Sequence, residues 1–244
     1  KIEKRHPSFD GLNLTWESLE GIVKHNGVFL HDIPFHINQY NNLHNLNLKL
    51  NPHLESQIAS IADDVAYNNH DVEDAIRADL INIHSLSELK YFNNLITKLY
   101  YKFPNIEDNL LTYQMLRMSI SQMINDIINN SLKIINHFNI KTIKDVQNYN
   151  KFLVSMSQEM QNECLEIRSY LHDNVYNHPK LLAKRSNSEM IIIKLFKYFE
   201  KNFEKLPKDW FSKNESEVKQ RIICDYISGM TDRYASKLFK TIYE

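Results

Sequence analysis

The fold of this chain is decided by residues 54–71, which read LESQIASIADDVAYNNHD. Apolar side chains recur there three and four residues apart, and this spacing places them on one face of an α-helix. The residues of that face are Leu54, Ile58, Ile61, Ala62, Val65 and Ala66. The pattern predicts an amphipathic helix packed against a core, and we expect it to begin at Pro52 and to end near Ile83.

Three polar side chains follow one another along the same predicted helix. Asp63, Tyr67 and Asp71 stand at positions i, i+4 and i+8, so with about 3.6 residues per turn they form one narrow stripe beside the apolar face. Two carboxylates and a phenol on one face can hold a metal ion, accept hydrogen bonds from a sugar and stack on a ring. We therefore predict that they line one wall of a pocket, and an ordinary solvated acidic face is the alternative.

Composition excludes several classes of protein. The 244 residues carry a net charge of -1, which provides no field to attract nucleic acid or an anionic membrane. No apolar run approaches the roughly 20 residues that cross a bilayer. Cys164 and Cys224 lack the spacing of a zinc site or a disulfide framework, so we expect both to be reduced core thiols in a cytoplasmic protein.

The periodicity of the whole chain predicts an all-α fold. Only 4 glycines and 6 prolines interrupt long segments with apolar residues at helical spacing. We expect a single multi-helix domain over residues 1–244, with its longest helix near residues 106–138. The polar residues 27–50, which include Pro34, indicate a long loop, and Thr15 and Thr231 are predicted helix N-caps.

Three ordered blocks of sequence carry a family resemblance. Residues 9–15 with 21–27, residues 63–74 and residues 225–235 resemble the deoxyguanosinetriphosphate triphosphohydrolase-like family of the HD-domain superfamily. Between them, Tyr176, His178 and Pro179 are similar to a tyrosine-x-histidine-proline segment of that family. The blocks span nearly the whole chain, so the resemblance is specific and implies an HD-domain-like fold.

One part of the family pattern is missing. Related enzymes carry a histidine and then a His-Asp pair well before the aspartate block, and no adjacent His-Asp pair occupies that place here. The pairs that do occur, His31-Asp32, His70-Asp71 and His172-Asp173, stand in other contexts. We therefore interpret the chain as the C-terminal portion of a longer polypeptide.

The resemblance assigns roles to the three residues of the stripe. Asp63 matches the aspartate that joins two histidines and another aspartate around a divalent metal, and the adjacent Asp64 is the competing choice. Tyr67 and Asp71 match positions that meet the deoxyribose. There a tyrosine ring excludes a 2′-hydroxyl and a carboxylate accepts a hydrogen bond from the 3′-hydroxyl.

Two basic positions complete the set that the resemblance implies. Lys24 matches a lysine near the triphosphate, although a lysine at a helix C-terminus is also favoured by the helix dipole. His178, with Lys180, Lys184 and Arg185 nearby, could meet the phosphates or a neighbouring subunit, and a solvated helix face is the alternative.

The reaction implied by the resemblance is hydrolysis of a deoxynucleoside triphosphate to the deoxynucleoside and tripolyphosphate. It implies a divalent metal such as Mg or Mn, usable only if the upstream ligands are present, and a homo-oligomer without a membrane or nucleic-acid partner. We expect the chain alone to be inactive. The alternative is a catalytically inactive nucleotide-binding or assembly module of the same family.

Overall fold

The structure is a computed structural model that describes residues 6–9, 11–210 and 219–243, and no β-strand occurs in them. The all-α prediction is confirmed. By its internal contacts the chain forms two compact units, Lys1–His172 and Asp173–Glu244. The single domain expected over residues 1–244 stays a prediction. None of the helices in the described ranges is long and apolar enough to span a bilayer.

The described residues of the first unit form seven α-helices and a 3₁₀ turn at Ile83–Glu88. In chain order they are α1 (Trp16–Lys24), α2 (Phe35–Leu43), α3 (Leu54–Arg77), α4 (Lys90–Lys102), α5 (Asp108–His137), α6 (Ile143–Asn148) and α7 (Gln158–Leu171). Helix α5 is the longest in the described residues, as its periodicity predicts. Helix α2 was not expected, because a proline that we interpreted as a break directly precedes the helix, where its fixed φ is tolerated.

Helix α3 carries the stripe, and local interactions set both of its ends. It begins after His53, whose ring accepts a hydrogen bond from the backbone N–H of Ser56. It ends at Arg77, earlier than the predicted end near Ile83, because Asp79 takes a left-handed conformation with φ of 52°. That conformation cannot continue a right-handed helix.

Close contacts fix the start of α3 against α1 and a later segment. The Ser56 hydroxyl donates to the Gly21 carbonyl at 3.1 Å, and a Cβ at Gly21 would lie only 3.2 Å from the Ser56 side chain. The buried Gln57 side chain accepts hydrogen bonds from the backbone N–H groups of Leu153 and Val154, at 2.7 and 3.1 Å. These bonds satisfy buried polar groups and hold α3 in a defined position.

Helix α7 is anchored to α5 at its first turn. The Asp126 carboxylate accepts hydrogen bonds from both the backbone N–H and the hydroxyl of Ser157, each at 2.7 Å. Ser157 is itself the N-cap of α7. This anchoring places the last turns of α7 beside the middle of α3.

The second unit contains α8 (Pro179–Lys201), α9 (Lys219–Ser228) and α10 (Asp232–Tyr243). Its core is a cluster that comprises Ile191, Leu195, Phe199, Leu206, Ile222 and Ile223. The predicted cap at Thr231 is confirmed, since its hydroxyl accepts a hydrogen bond from the backbone N–H of Tyr234 at 3.2 Å. Both cysteines are free thiols, but only Cys164 is buried, and the prediction that Cys224 lies in the core is wrong.

Candidate functional site

Helix α3 places Asp63, Tyr67 and Asp71 on successive turns along one side. Asp63 is exposed, Tyr67 is 52% exposed and Asp71 is partly buried. An exposed tyrosine between two carboxylates offers both an apolar ring face and hydrogen-bonding groups to a ligand. The stripe is therefore formed as predicted along the helix, and its role in binding stays a prediction.

An arginine that the sequence analysis did not single out lies beside this stripe. The Arg168 guanidinium of α7 donates one hydrogen bond to Asp64 at 2.8 Å and another to Asn68 at 3.1 Å. Asp64 and Asn68 each follow a stripe residue by one position. The side chains of Arg168 and Asp64 are 45% and 57% exposed, so this cation is accessible from solvent.

The contact with Arg168 distinguishes the two adjacent aspartates. Asp64 is engaged by the guanidinium, whereas Asp63 begins the stripe that continues through Tyr67. Which of the two aspartates is a metal ligand stays a prediction.

The described residues do not by themselves fit a divalent metal centre. Nowhere among them do three or more His, Cys, Asp or Glu side chains come together in a way that could hold a metal ion. One carboxylate is too few ligands, because divalent ions in proteins are usually held by several ligands. Asp63 can supply at most one ligand to such a site.

Lys24 occupies a different environment from the one expected of a phosphate ligand. Its ammonium group is fully buried and donates to Glu20 at 2.6 Å and to the carbonyls of Leu50 and Asn47 at 2.9 and 3.2 Å. These bonds use all three of its donors. Burial lowers the pKa of Lys24, and the hydrogen bond to Glu20 acts in the opposite direction. The geometry favours a structural role, and contact with a triphosphate stays a prediction.

His178 lies in the second unit, where it is the N-cap of α8. Its ring accepts a hydrogen bond from the backbone N–H of Lys180 at 3.3 Å, and Pro179 follows at the first position of the helix. This arrangement explains the histidine-proline pair as a helix start. The predicted contact of His178 with substrate stays a prediction.

A groove between α3 and α5 lies next to the stripe. It has a volume of about 600 Å³, and its α3 wall includes Ala62, Ala66 and His70, each directly preceding a residue of the stripe. Asp63, Tyr67 and Asp71 do not line this groove. The concave surface is therefore apolar, with the polar stripe along its border.

Sequence reasoning missed Arg168 because its partners are 100 and 104 residues away along the chain. The only local signal was a cation flanked in α7 by the buried Cys164, Ile167 and Leu171. Such a position at the edge of an apolar face brings a long side chain close to a neighbouring helix. The identity of that helix could not be inferred from spacing.

Comparison with known proteins gives one consistent result. Residues 154–241 match the family model described as the phosphohydrolase-associated domain. A deoxyguanosinetriphosphate triphosphohydrolase-like protein from Rickettsia conorii is 38% identical over 237 residues, which cover 96% of this chain and 62% of that relative. A protein of the same name from Bartonella quintana is 35% identical over 253 aligned positions, covering 100% of this chain and 63% of the relative.

A third protein of that name, from Rickettsia canadensis, is 37% identical, with 99% of this chain and 65% of the relative covered. The chain thus spans less than two thirds of the length of these relatives. The resemblance inferred from its sequence is confirmed, and the chain is related over nearly its whole length to the deoxyguanosinetriphosphate triphosphohydrolase-like proteins.

Proposed function

We propose that the α3 stripe is the sugar-recognition part of a site that hydrolyses deoxynucleoside triphosphates to the deoxynucleoside and tripolyphosphate. The observation that carries this proposal is the half-exposed Tyr67 between Asp63 and Asp71, with the Arg168 guanidinium beside the same helix. The names of the relatives support the substrate class.

Each side chain has a distinct task in this proposal. The Tyr67 ring packs against C2′ of the sugar and leaves no room for a 2′-hydroxyl, while Asp71 accepts a hydrogen bond from the 3′-hydroxyl. Arg168 offers a planar, permanently charged group that suits phosphate oxygens. A bound phosphate would compete with Asp64 for the guanidinium of Arg168. Because the Arg168–Asp64 pair is exposed to solvent, breaking it should cost little free energy.

The proposal leaves the chain alone without hydrolytic activity. Asp63 would be one ligand of a divalent ion such as Mg or Mn. The other ligands would have to come from residues outside this 244-residue sequence. We also propose that the protein is cytoplasmic and forms a homo-oligomer. The alternative is a nucleotide-binding or assembly module without catalysis.

The test is calorimetric titration of the chain with dGTP and with 2′,3′-dideoxyGTP, which lacks the hydroxyl assigned to Asp71. Changing Asp71→Asn should weaken binding of dGTP by about fivefold, because a neutral amide accepts the 3′-hydroxyl bond less strongly. Dideoxy binding should be unchanged. Asp79→Asn, at an exposed aspartate beyond the C-terminal end of α3, is the matched control and should alter neither, because asparagine also adopts the left-handed conformation of that position.

Two results would count against the proposal. Equal weakening of dGTP and dideoxyGTP by Asp71→Asn would show that this carboxylate does not read the 3′-hydroxyl. Release of tripolyphosphate by the purified chain with Mg²⁺ or Mn²⁺ would show that its own residues complete the site.

A further inference from the structure

Asn68 is a buried amide on the helix that carries the stripe, and it directly follows Tyr67 in sequence. It is 1% exposed, and its Oδ1 accepts a hydrogen bond from Nε of Arg168 at 3.1 Å. Because the Nε–H group can only donate, this bond fixes the orientation of the amide and assigns the other end to Nδ2. Among the described residues, no hydrogen-bond partner reaches that buried Nδ2. The amide is therefore oriented by Arg168, although its own NH₂ group is left unpaired.

Packing alone does not explain an asparagine at this position. A buried N–H group without an acceptor costs free energy, and an apolar side chain of similar size, such as leucine, would avoid that cost. Positions that break such a rule are commonly functional. Asn68 contacts a cation that reaches solvent, since the Arg168 side chain is 45% exposed. These observations point to a role of the amide in holding the guanidinium.

The two partners of Arg168 on α3 differ in burial and in charge. Asp64 is a carboxylate that is 57% exposed and contacts Nη2 at 2.8 Å, whereas Asn68 is a buried neutral amide that contacts Nε. An exposed ion pair is weak and exchanges with a competing anion, while a neutral acceptor leaves the positive charge available to that anion. Neither bond uses Nη1, which carries two further N–H groups. Asn68 can therefore retain Nε while Nη1 and Nη2 bind a phosphate.

We propose that Asn68 is a positioning residue, which holds the Arg168 guanidinium so that Nη1 and Nη2 can bind the phosphates of a nucleotide. This inference rests on the proposed function, because it requires that Arg168 meets phosphate. An arginine whose side chain is already fixed loses less conformational freedom when a ligand binds, so the positioning raises the affinity for phosphate. Adjacent residues of one helix, Tyr67 and Asn68, then serve the sugar and the phosphates.

The hold on Arg168 is tested without nucleotide, through the ¹⁵N–¹H signal of its Nε–H group. That signal is assigned as the one that disappears in Arg168→Lys. In Asn68→Leu, hydrogen exchange of the Nε–H group with water should be about fivefold faster, because the buried acceptor is lost. Asn68→Ala removes the same oxygen with a smaller side chain and should give the same result. Wild-type exchange rates in both variants would overturn the proposal.

Asn69 provides the matched control for both measurements. It is 2% exposed and, like Asn68, has a buried amide atom without a hydrogen-bond partner among the described residues. Its NH₂ group, however, contacts the Val65 carbonyl at 2.8 Å and the Met123 sulfur at 3.4 Å. Asn69→Leu therefore makes the same chemical change in the core without removing a partner of Arg168. It should leave the exchange of the Arg168 Nε–H group at the wild-type rate.

Calorimetric titration with dGTP then tests the purpose of the positioning. Asn68→Leu should weaken binding of dGTP about fivefold, and Asn69→Leu should not change it. In an Arg168→Ala background, Asn68→Leu should have no further effect, since the group that it positions is absent. A structural role would instead weaken binding equally in both backgrounds, and that result would overturn the proposal.

Failure of this inference and failure of the proposed function give different results. Absence of dGTP binding by the wild-type chain would refute the proposed function and, with it, this inference. Binding of dGTP that is normal in the wild type and equally tight in Asn68→Leu would refute the positioning role alone.

Discussion

Two cation–carboxylate pairs in the first unit have similar distances and opposite surroundings. Lys24 and Glu20 lie 2.6 Å apart with side chains that are 0% and 1% exposed. Arg168 and Asp64 lie 2.8 Å apart with side chains that are 45% and 57% exposed. Burial closes the first pair to solvent, whereas the second pair is accessible from it.

The difference in exposure between the two pairs shows that a family match alone does not establish whether a basic side chain is accessible to a substrate. Lys24 stands in a segment that resembles the family, yet its donors are consumed by Glu20 and two backbone carbonyls. Arg168 had no motif to mark it, yet its side chain lies beside the helix that carries the stripe and is 45% exposed. In our proposal the exposed guanidinium of Arg168 meets a phosphate, and the contact of Lys24 with a triphosphate stays a prediction.

The largest expected effect is on stability at the buried pair. Lys24→Met keeps most of the apolar stem but leaves the Glu20 carboxylate buried without a partner, so the free energy of unfolding should fall by about 3–5 kcal/mol. Denaturant unfolding monitored by circular dichroism measures this loss. The double variant Glu20→Leu/Lys24→Met, which removes both charges, should recover most of it. A single variant as stable as the wild type would break the comparison.

Arg168→Ala should change the stability of the chain little and weaken its binding of dGTP. Because the pair is exposed, the free energy of unfolding should change by less than about 1 kcal/mol. Affinity for dGTP should nevertheless fall about tenfold, since a charged contact with phosphate is lost. Arg77→Ala is the control, because Arg77 also pairs with a carboxylate on α3, that of Glu73 at 3.6 Å, away from the stripe. Equal loss of affinity in the two variants would indicate a general charge effect.

Periodicity was sufficient to predict the fold class and the helix that carries the stripe. Apolar residues at helical spacing located α3 and α5, and hydroxyl side chains marked the starts of α1 and α10. These features depend on local sequence, where propensity, capping and amphipathicity agree. Helix α2 was missed because its surroundings are polar and because Pro34, which we interpreted as a break, directly precedes it.

The parts of the site that depend on distant contacts could not be predicted. The burial of Lys24 is set by carbonyls more than twenty positions away, and the contact of Arg168 joins α7 to α3. Spacing within one element contains no information about either. The groove likewise requires two helices whose apolar residues are only partly covered by each other.

The most direct test of the account is the discrimination between dGTP and GTP by the chain and its Tyr67 variants. If the Tyr67 ring excludes a 2′-hydroxyl, dGTP should bind about fivefold more tightly than GTP, and Tyr67→Phe, which retains the ring, should keep that ratio. Tyr67→Ala should bring the ratio of the two dissociation constants close to unity. A ratio that is unchanged in Tyr67→Ala, or that is already close to unity in the wild-type chain, would show that the α3 stripe does not read the sugar.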